Sequence, residues 1–167
     1  MAEQMTASAF GELMRRFYNA ATEVLIGTDA YIDKLIGDEV MALYLPMFAG
    51  PEHARRAIQG AEELLRATGH GDTGEPWIPV GIGVHTGVAF FGTVGGAEGT
   101  FSDFTALGDN VNVTARLAAR AGPGEALVSE AAYAAAGVDL GELERRELEL
   151  KGRSESVPVR VLRAAPG

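Results

Sequence analysis

Residues 105–116 read Thr-Ala-Leu-Gly-Asp-Asn-Val-Asn-Val-Thr-Ala-Arg, and the period of the sequence changes in the middle of them. Phe101 to Leu107 reads as a strand and Gly108 turns the chain. From Asp109 to Ala121 the pattern is helical, with Val111, Val113, Ala115, Leu117 and Ala118 available to a core. Asp109 or Asn110 is placed to cap that helix, and Gly122-Pro123-Gly124 stops it. Asn112 and Arg116 are four residues apart and project from one side of it. An amide and a guanidinium one turn apart can grip a sugar oxygen and a phosphate together. The plainer reading of the pair is a solvated polar helix face.

Working outward, the strand–turn–helix sits among elements of the same size. An amphipathic helix runs from Ser8 to about Leu25, with Phe10, Leu13, Met14, Phe17, Ala21, Val24 and Leu25 on one stripe and Thr6 or Ser8 as cap. Tyr31 to Ile36 and Glu39 to Leu45 form a β-hairpin with Gly37-Asp38 at its tip, ended by Pro46 and Gly50-Pro51. A second helix spans about Glu52 to Thr68, and Gly69 to Pro76 is loop by composition. Ile78 to Thr86 reads as a buried strand with Val88 to Val94 as its hairpin partner. After the central helix come a short strand at Ala126–Val128, a helix capped by Ser129 and running to about Ala136, and strands near Glu147–Leu150 and Val157–Leu162. The expected architecture is a sheet-centred α+β domain, an α/β sandwich with helices packed on one face.

The 167 residues suit a single domain, 1–167, and show no internal repeat or linker. Fourteen Lys+Arg against 23 Asp+Glu leave a net charge of −9 with no basic run, which disfavours a nucleic-acid backbone as partner. The lack of cysteine removes disulfides, thiolate zinc, iron–sulfur clusters and cysteine nucleophiles together. No apolar run approaches the roughly 20 residues of a membrane span, and the first residues lack a signal-peptide pattern, so a soluble, cytoplasmic domain is expected. There is no phosphate loop of the G-x-x-x-x-G-K-[ST] type and no G-x-S-x-G elbow. His53, His70 and His85 lack metal-ligand spacing, and His85, inside a strand, reads as a structural histidine.

Two further stretches bear on chemistry. In Lys34-Leu35-Ile36-Gly37-Asp38 an acidic residue at a hairpin tip stands clear of the sheet, where a carboxylate can hold a hard cation such as Mg²⁺; an ordinary Gly-Asp turn is the plainer reading. In Leu150-Lys151-Gly152 a lysine beside glycine can reach a triphosphate as a point charge, although lysines at strand ends are ordinary.

Taken in order, K-x-x-G-D at 34–38, V-G-I-G-V-H-T-G at 80–87 leading into F-G-T-V-G at 91–95, T-A-L-G-D-N-V-N-V-T-A-R at 105–116 and L-K-G at 150–152 resemble the catalytic domain of the class III adenylate/guanylate cyclases, over nearly the whole chain from about Phe10 to Leu162. The resemblance implies a ferredoxin-like βαββαβ core with added C-terminal strands. It also implies conversion of ATP to cyclic AMP, or GTP to cyclic GMP, with release of pyrophosphate. Two Mg²⁺ or Mn²⁺ ions assist attack of the 3′-hydroxyl on the α-phosphate, and the sites lie at the interface of a head-to-tail homodimer. Carried over residue by residue, Asp38 resembles the second metal aspartate, and Lys34 and Thr105 resemble the purine readers, in the combination of an adenine reader. Asn112 resembles the residue that orients the ribose, Arg116 the one that stabilises charge on the phosphates, and Lys151 the one that holds the terminal phosphates.

The chain departs from that pattern in two places. The family's first strand, which carries the first metal aspartate and lies centrally in the sheet, is expected upstream of Met1, since nothing in residues 1–30 replaces it and Asp29 and Asp33 stand in the wrong place. A chain without that aspartate is expected to be inactive or impaired, and one without that strand to leave backbone unpaired. Val88 also follows H-T-G where some members carry a phosphate-binding arginine. Two other readings remain open on these residues: a non-catalytic cyclase-homology module for nucleotide binding or dimerisation, and an unrelated ferredoxin-like binding domain.

Overall fold

The centre of the molecule is a strand, β6 (Glu125–Ser129), buried at every one of its five positions. A strand covered on both faces needs neighbours on both edges. In the computed structural model, which describes residues 5–71, 75–95, 102–150 and 155–165, β6 pairs in parallel with β3 (Gly81–Val84) and antiparallel with β8 (Val157–Leu162). β7 (Glu144–Leu148) pairs with β8, so the sheet order is β3-β6-β8-β7. Two hairpins stand apart from this sheet: β1 (Tyr31–Ile36) with β2 (Glu39–Leu43), and β4 (Phe90–Gly95) with β5 (Ser102–Leu107). The other elements are α1 (Ala7–Gly27), α2 (Pro46–Ala49) with a 3₁₀ turn at Gly50–Glu52, α3 (His53–Ala67), α4 (Asp109–Arg120) and α5 (Glu130–Ala136).

The period-2 alternation of β6 places helices on both faces, not on one as expected. Ala126 and Val128 join a cluster with Ala54, Ile58, Ala61 and Leu65 of α3 and Ala132, Tyr133 and Ala136 of α5. Leu127 points the other way, into a cluster with Val113 and Leu117 of α4 and Val159 and Val161 of β8. A third cluster is built by α1, whose Met14, Phe17, Ala21 and Leu25 pack on Leu64, Ile78 and Val80. Ile32, Val40 and Ala42 of the β1–β2 hairpin and Ile82 of β3 lie against that cluster, so α1 holds hairpin and sheet together. Among the described residues no ladder joins the hairpin to the four-stranded sheet.

Several elements follow the expected bounds. Thr6 caps α1 by accepting from the Ala9 amide at 3.2 Å, and Ser129 caps α5 by accepting from Ala132 at 3.2 Å. Others differ, for identifiable reasons. The strand expected over Ile78–Thr86 is confined to the four residues that meet β6, and Pro79 has no amide to donate to a longer ladder. Its expected hairpin partner, Val88–Val94, pairs with β5 instead, with Phe90 opposite Leu107 and Gly95 opposite Ser102. β3 takes its ladder from β6 in parallel, which a hairpin cannot supply. Residues 46–49, expected as an end to the hairpin, form the short helix α2 with Pro46 in its first turn. Neither Asp109 nor Asn110 is the N-cap of α4; Gly108 holds that position, and Asn110 is engaged elsewhere. β7 starts three residues earlier than expected and ends two earlier, at Leu148, and Leu150 beyond it is buried under α4.

α4 reaches its place because β3 is stripped of side chains on the facing side. A Cβ on Gly83 would stand 2.5 Å from both the Ala118 amide nitrogen and the Thr114 carbonyl oxygen, neither of which can move without moving the helix. Gly83→Ala is therefore expected to destabilise by about 2 kcal/mol, read from the urea midpoint. Gly27→Ala, where nothing lies within 4 Å, serves as the neutral control.

At one end of the sheet Glu125 accepts from Arg146 at 2.8 and 2.7 Å, from Arg163 at 2.6 Å and from the Gly122 amide at 3.0 Å. Arg146 foremost, helped by Gly122 and Arg163 and opposed by burial, holds this carboxyl at about 2, below its usual 4.5. A depressed carboxylate contributes stability that is fully present above pH 4.5 and is lost as pH falls toward about 2. Acid unfolding followed at a series of pH values should lose part of its dependence across that window in Glu125→Gln.

Candidate functional site

The β1–β5 contact collects the first group of candidate residues. Lys34 of β1 donates to the Asp103 carboxylate of β5, and its ammonium lies 3.9 Å from Asp33. Thr105 of β5, 4% exposed, donates its hydroxyl proton to Asp33 at 2.8 Å. Lys34 and Thr105, far apart in sequence, thus stand in one cluster with two carboxylates between and beside them. Asp103 and Thr105 are two apart on β5 and share a face. Asp33 and Lys34 are consecutive and would ordinarily face opposite ways. The pairing of β1 with β2 shifts register between Ile32 and Lys34, a β-bulge that turns both side chains toward β5. The hydrogen bond to Asp103 keeps the Lys34 ammonium above its usual 10.5, against the opposing effect of burial.

The second group lies on α4. Asn112 is exposed and Arg116 half-buried on the same side of the helix, and among the described residues neither side chain has a hydrogen bond or ion pair. The start of α4 is tied to β6 through His85, whose ring accepts or donates at 2.8 Å to Ser129 and at 3.0 Å to Asn110. Asn110 in turn donates to the Val88 carbonyl at 2.7 Å. With both ring nitrogens engaged by structural partners, His85 acts as a strut that orients the helix carrying Asn112 and Arg116.

Asp38 occupies the exposed tip of the β1–β2 hairpin, where Gly37, with a φ of 60°, makes the turn and its carbonyl accepts from the Tyr18 hydroxyl. Asp29 pairs with Arg56 and Asp33 with Thr105, so neither stands free to join Asp38. Among the described residues no three His, Cys, Asp or Glu side chains converge on a point that would hold a metal ion. Among the described residues the donor set at the hairpin tip offers one carboxylate, Asp38, to a divalent-ion site. Lys151 lies outside the described residues.

Asp33, Asp103, Asn110 and Ser129 are the neighbours that the sequence did not single out for the roles they play. The adjacency of Asp33 to Lys34 is plain in the sequence, but regular strand alternation would turn the two side chains to opposite faces.

This fold is that of a nucleotide cyclase domain. The family model for the adenylate and guanylate cyclase catalytic domain matches residues 1–161, and the chain belongs to that family. Among curated relatives, Adenylate cyclase 1 of Rhizobium meliloti (strain 1021) is 34% identical over 110 residues, covering 63% of this chain and 16% of its own length. An adenylate cyclase of Anabaena cylindrica is 41% identical over 91 residues, 52% of this chain and 18% of its own. The chain therefore spans less than a fifth of either relative. Two solved structures share the fold. The guanylyl cyclase Cya2 has a TM-score of 0.82 at 23% identity, covering 99% of this chain and 85% of that one. The adenylyl cyclase CyaB from P. aeruginosa has a TM-score of 0.79 at 24% identity, covering 98% and 87%. Among the described residues no helix is long and apolar enough to cross a membrane.

The Lys34–Asp103 pair gives a direct test of the cluster. In Asp103→Asn the Lys34 ammonium should titrate at lower pH than in the parent, read by nitrogen-15 NMR of Nζ; an unchanged titration would show that the two are not paired in solution.

Proposed function

We propose that the domain is an adenylate cyclase that converts ATP to 3′,5′-cyclic AMP and pyrophosphate as a homodimer. The observation that supports this most is the cluster in which Lys34 and Thr105 are brought together across β1 and β5, one a pure donor and the other a hydroxyl already engaged by Asp33. In the reaction the ribose 3′-oxygen bonds to the α-phosphorus, the bond from that phosphorus to the oxygen bridging toward the β-phosphate breaks, and pyrophosphate leaves with the electron pair. The hydroxyl proton is released.

In this reading Lys34 donates to the ring nitrogen of adenine and Thr105 meets its 6-amino group. Asn112 orients the ribose, Arg116 meets the charge that builds on the phosphate oxygens, and Lys151 holds the terminal phosphates. The side chains of Asn112 and Arg116, one turn apart on a helix seated against β3, suit those tasks because among the described residues no partner has to be displaced first. Mg²⁺ or Mn²⁺ accompanying the triphosphate would find a protein carboxylate at Asp38. Phe90, Phe104 and Leu107 on the β4–β5 hairpin, with Met47 and Phe48 on α2, are large apolar side chains left exposed, which supports cover by a second copy.

Among the described residues no second carboxylate joins Asp38 in a metal-holding group, which favours a second reading, a nucleotide-binding module without turnover. The two are separated by incubating the chain with ATP and Mn²⁺ and measuring cyclic AMP. Under the first reading product accumulates, and Arg116→Ala lowers kcat about 100-fold with a smaller change in KM. ATP binding without product favours the module, and no ATP binding at all overturns both.

A further inference from the structure

Asp33 is the residue in the β1–β5 cluster that packing does not explain. Its side chain is fully buried, and one carboxylate oxygen, Oδ1, has no hydrogen-bond partner among the described residues. A buried carboxylate with an orphaned oxygen costs stability that an apolar residue at the same place would not. Its other oxygen accepts the Thr105 hydroxyl proton at 2.8 Å, while the alternative acceptor for that proton, the Ala106 carbonyl, is at 3.5 Å. Thr105 is 4% exposed, so water offers little competition.

A threonine hydroxyl has one proton to give and two lone pairs to receive. Left alone it rotates and serves as donor or acceptor, whichever a ligand needs. With its proton committed to Asp33 it has only lone pairs left. We propose that Asp33 is a specificity-determining positioning residue: by taking the Thr105 proton it makes Thr105 an obligate acceptor, so the Lys34–Thr105 pair accepts a purine that presents a 6-amino group and rejects one that presents a 6-carbonyl. The bulge at Asp33 permits this, since it lets consecutive residues of β1 reach Asp103 and Thr105 on one face of β5. The inference rests on the adenylate reading of the site and adds the residue that sets the polarity of the base contact. The discrimination follows the rule that a site built with fixed polar groups penalises the analogue that leaves them unpaired.

The test compares dissociation constants for the α,β-methylene analogues of ATP and GTP, which cannot be cyclised, in the parent chain, Asp33→Leu and Asp33→Asn. The parent should prefer the adenosine analogue. Asp33→Leu frees the hydroxyl and should narrow that preference by about tenfold, chiefly by tighter binding of the guanosine analogue. Asp33→Asn, whose amide oxygen still accepts from Thr105, should keep most of it. A merely structural role would weaken both analogues alike and leave their ratio intact, which would overturn the inference. A parent chain with no preference for adenine would instead overturn the adenylate reading. Should Asp33→Leu fail to fold, a crystal structure of the parent with the ATP analogue decides. Thr105 Oγ1 within hydrogen-bond distance of both Asp33 Oδ2 and the 6-amino nitrogen supports the inference, and Thr105 turned away from Asp33 contradicts it.

Discussion

Without the register shift between Ile32 and Lys34, Asp33 and Lys34 would face opposite sides of the β1–β2 hairpin and only one of them would reach β5. The bulge removes that exclusion. It sets Lys34 against Asp103 and Asp33 against Thr105, and through those two contacts it joins the β1–β2 hairpin to the β4–β5 hairpin, which among the described residues share no ladder. The aromatic rings of Tyr31, Phe91 and Phe104 pack beside the same junction, with centroids 5.5 Å apart for Tyr31 and Phe91 and 4.6 Å for Phe91 and Phe104. The end of the candidate site around Lys34 and Thr105 is therefore held by side chains and not, among the described residues, by backbone pairing, and it is correspondingly easy to alter by substitution.

The part of the candidate site on α4 is built differently. α4 stands on a sheet whose central strand is buried throughout, and glycine at position 83 lets helix and strand approach to backbone contact. His85 ties the first turn of that helix to Ser129 at the end of β6. Asn112 and Arg116 thus sit on a rigid support while their own side chains are uncommitted among the described residues. A preorganised helix with free donors suits a reaction in which charge on phosphate oxygens must be met as it develops. The position of Asp38 is the least supported of the three, at an exposed turn with no second carboxylate near it among the described residues.

Much of the fold was legible because its signals are local. Thr6, Ser129 and Gly122-Pro123-Gly124 mark helix ends by chemistry that does not depend on the rest of the chain. The Gly37-Asp38 turn and the change of period at Gly108 are of the same kind. What failed was long-range: that Val88–Val94 pairs with β5 and not with the strand before it, and that helices cover both faces of the sheet, depend on β6 lying parallel to β3, which no local pattern announces. For the site, the motif residues Lys34, Thr105, Asn112 and Arg116 were found in order along the chain. Their partners Asp33 and Asp103 were not, because a bulge obeys no sequence period.

The central claim is that Lys34, Thr105 and Arg116 serve one nucleotide. The most direct measurement is a backbone amide NMR titration of the chain with the α,β-methylene analogue of ATP. The account predicts that resonances of β1 around Lys34, β5 around Thr105 and α4 around Arg116 shift together along one saturating curve. Shifts confined to another surface, such as the Glu125–Arg146–Arg163 end of the sheet, or no shifts at saturating nucleotide, would contradict it.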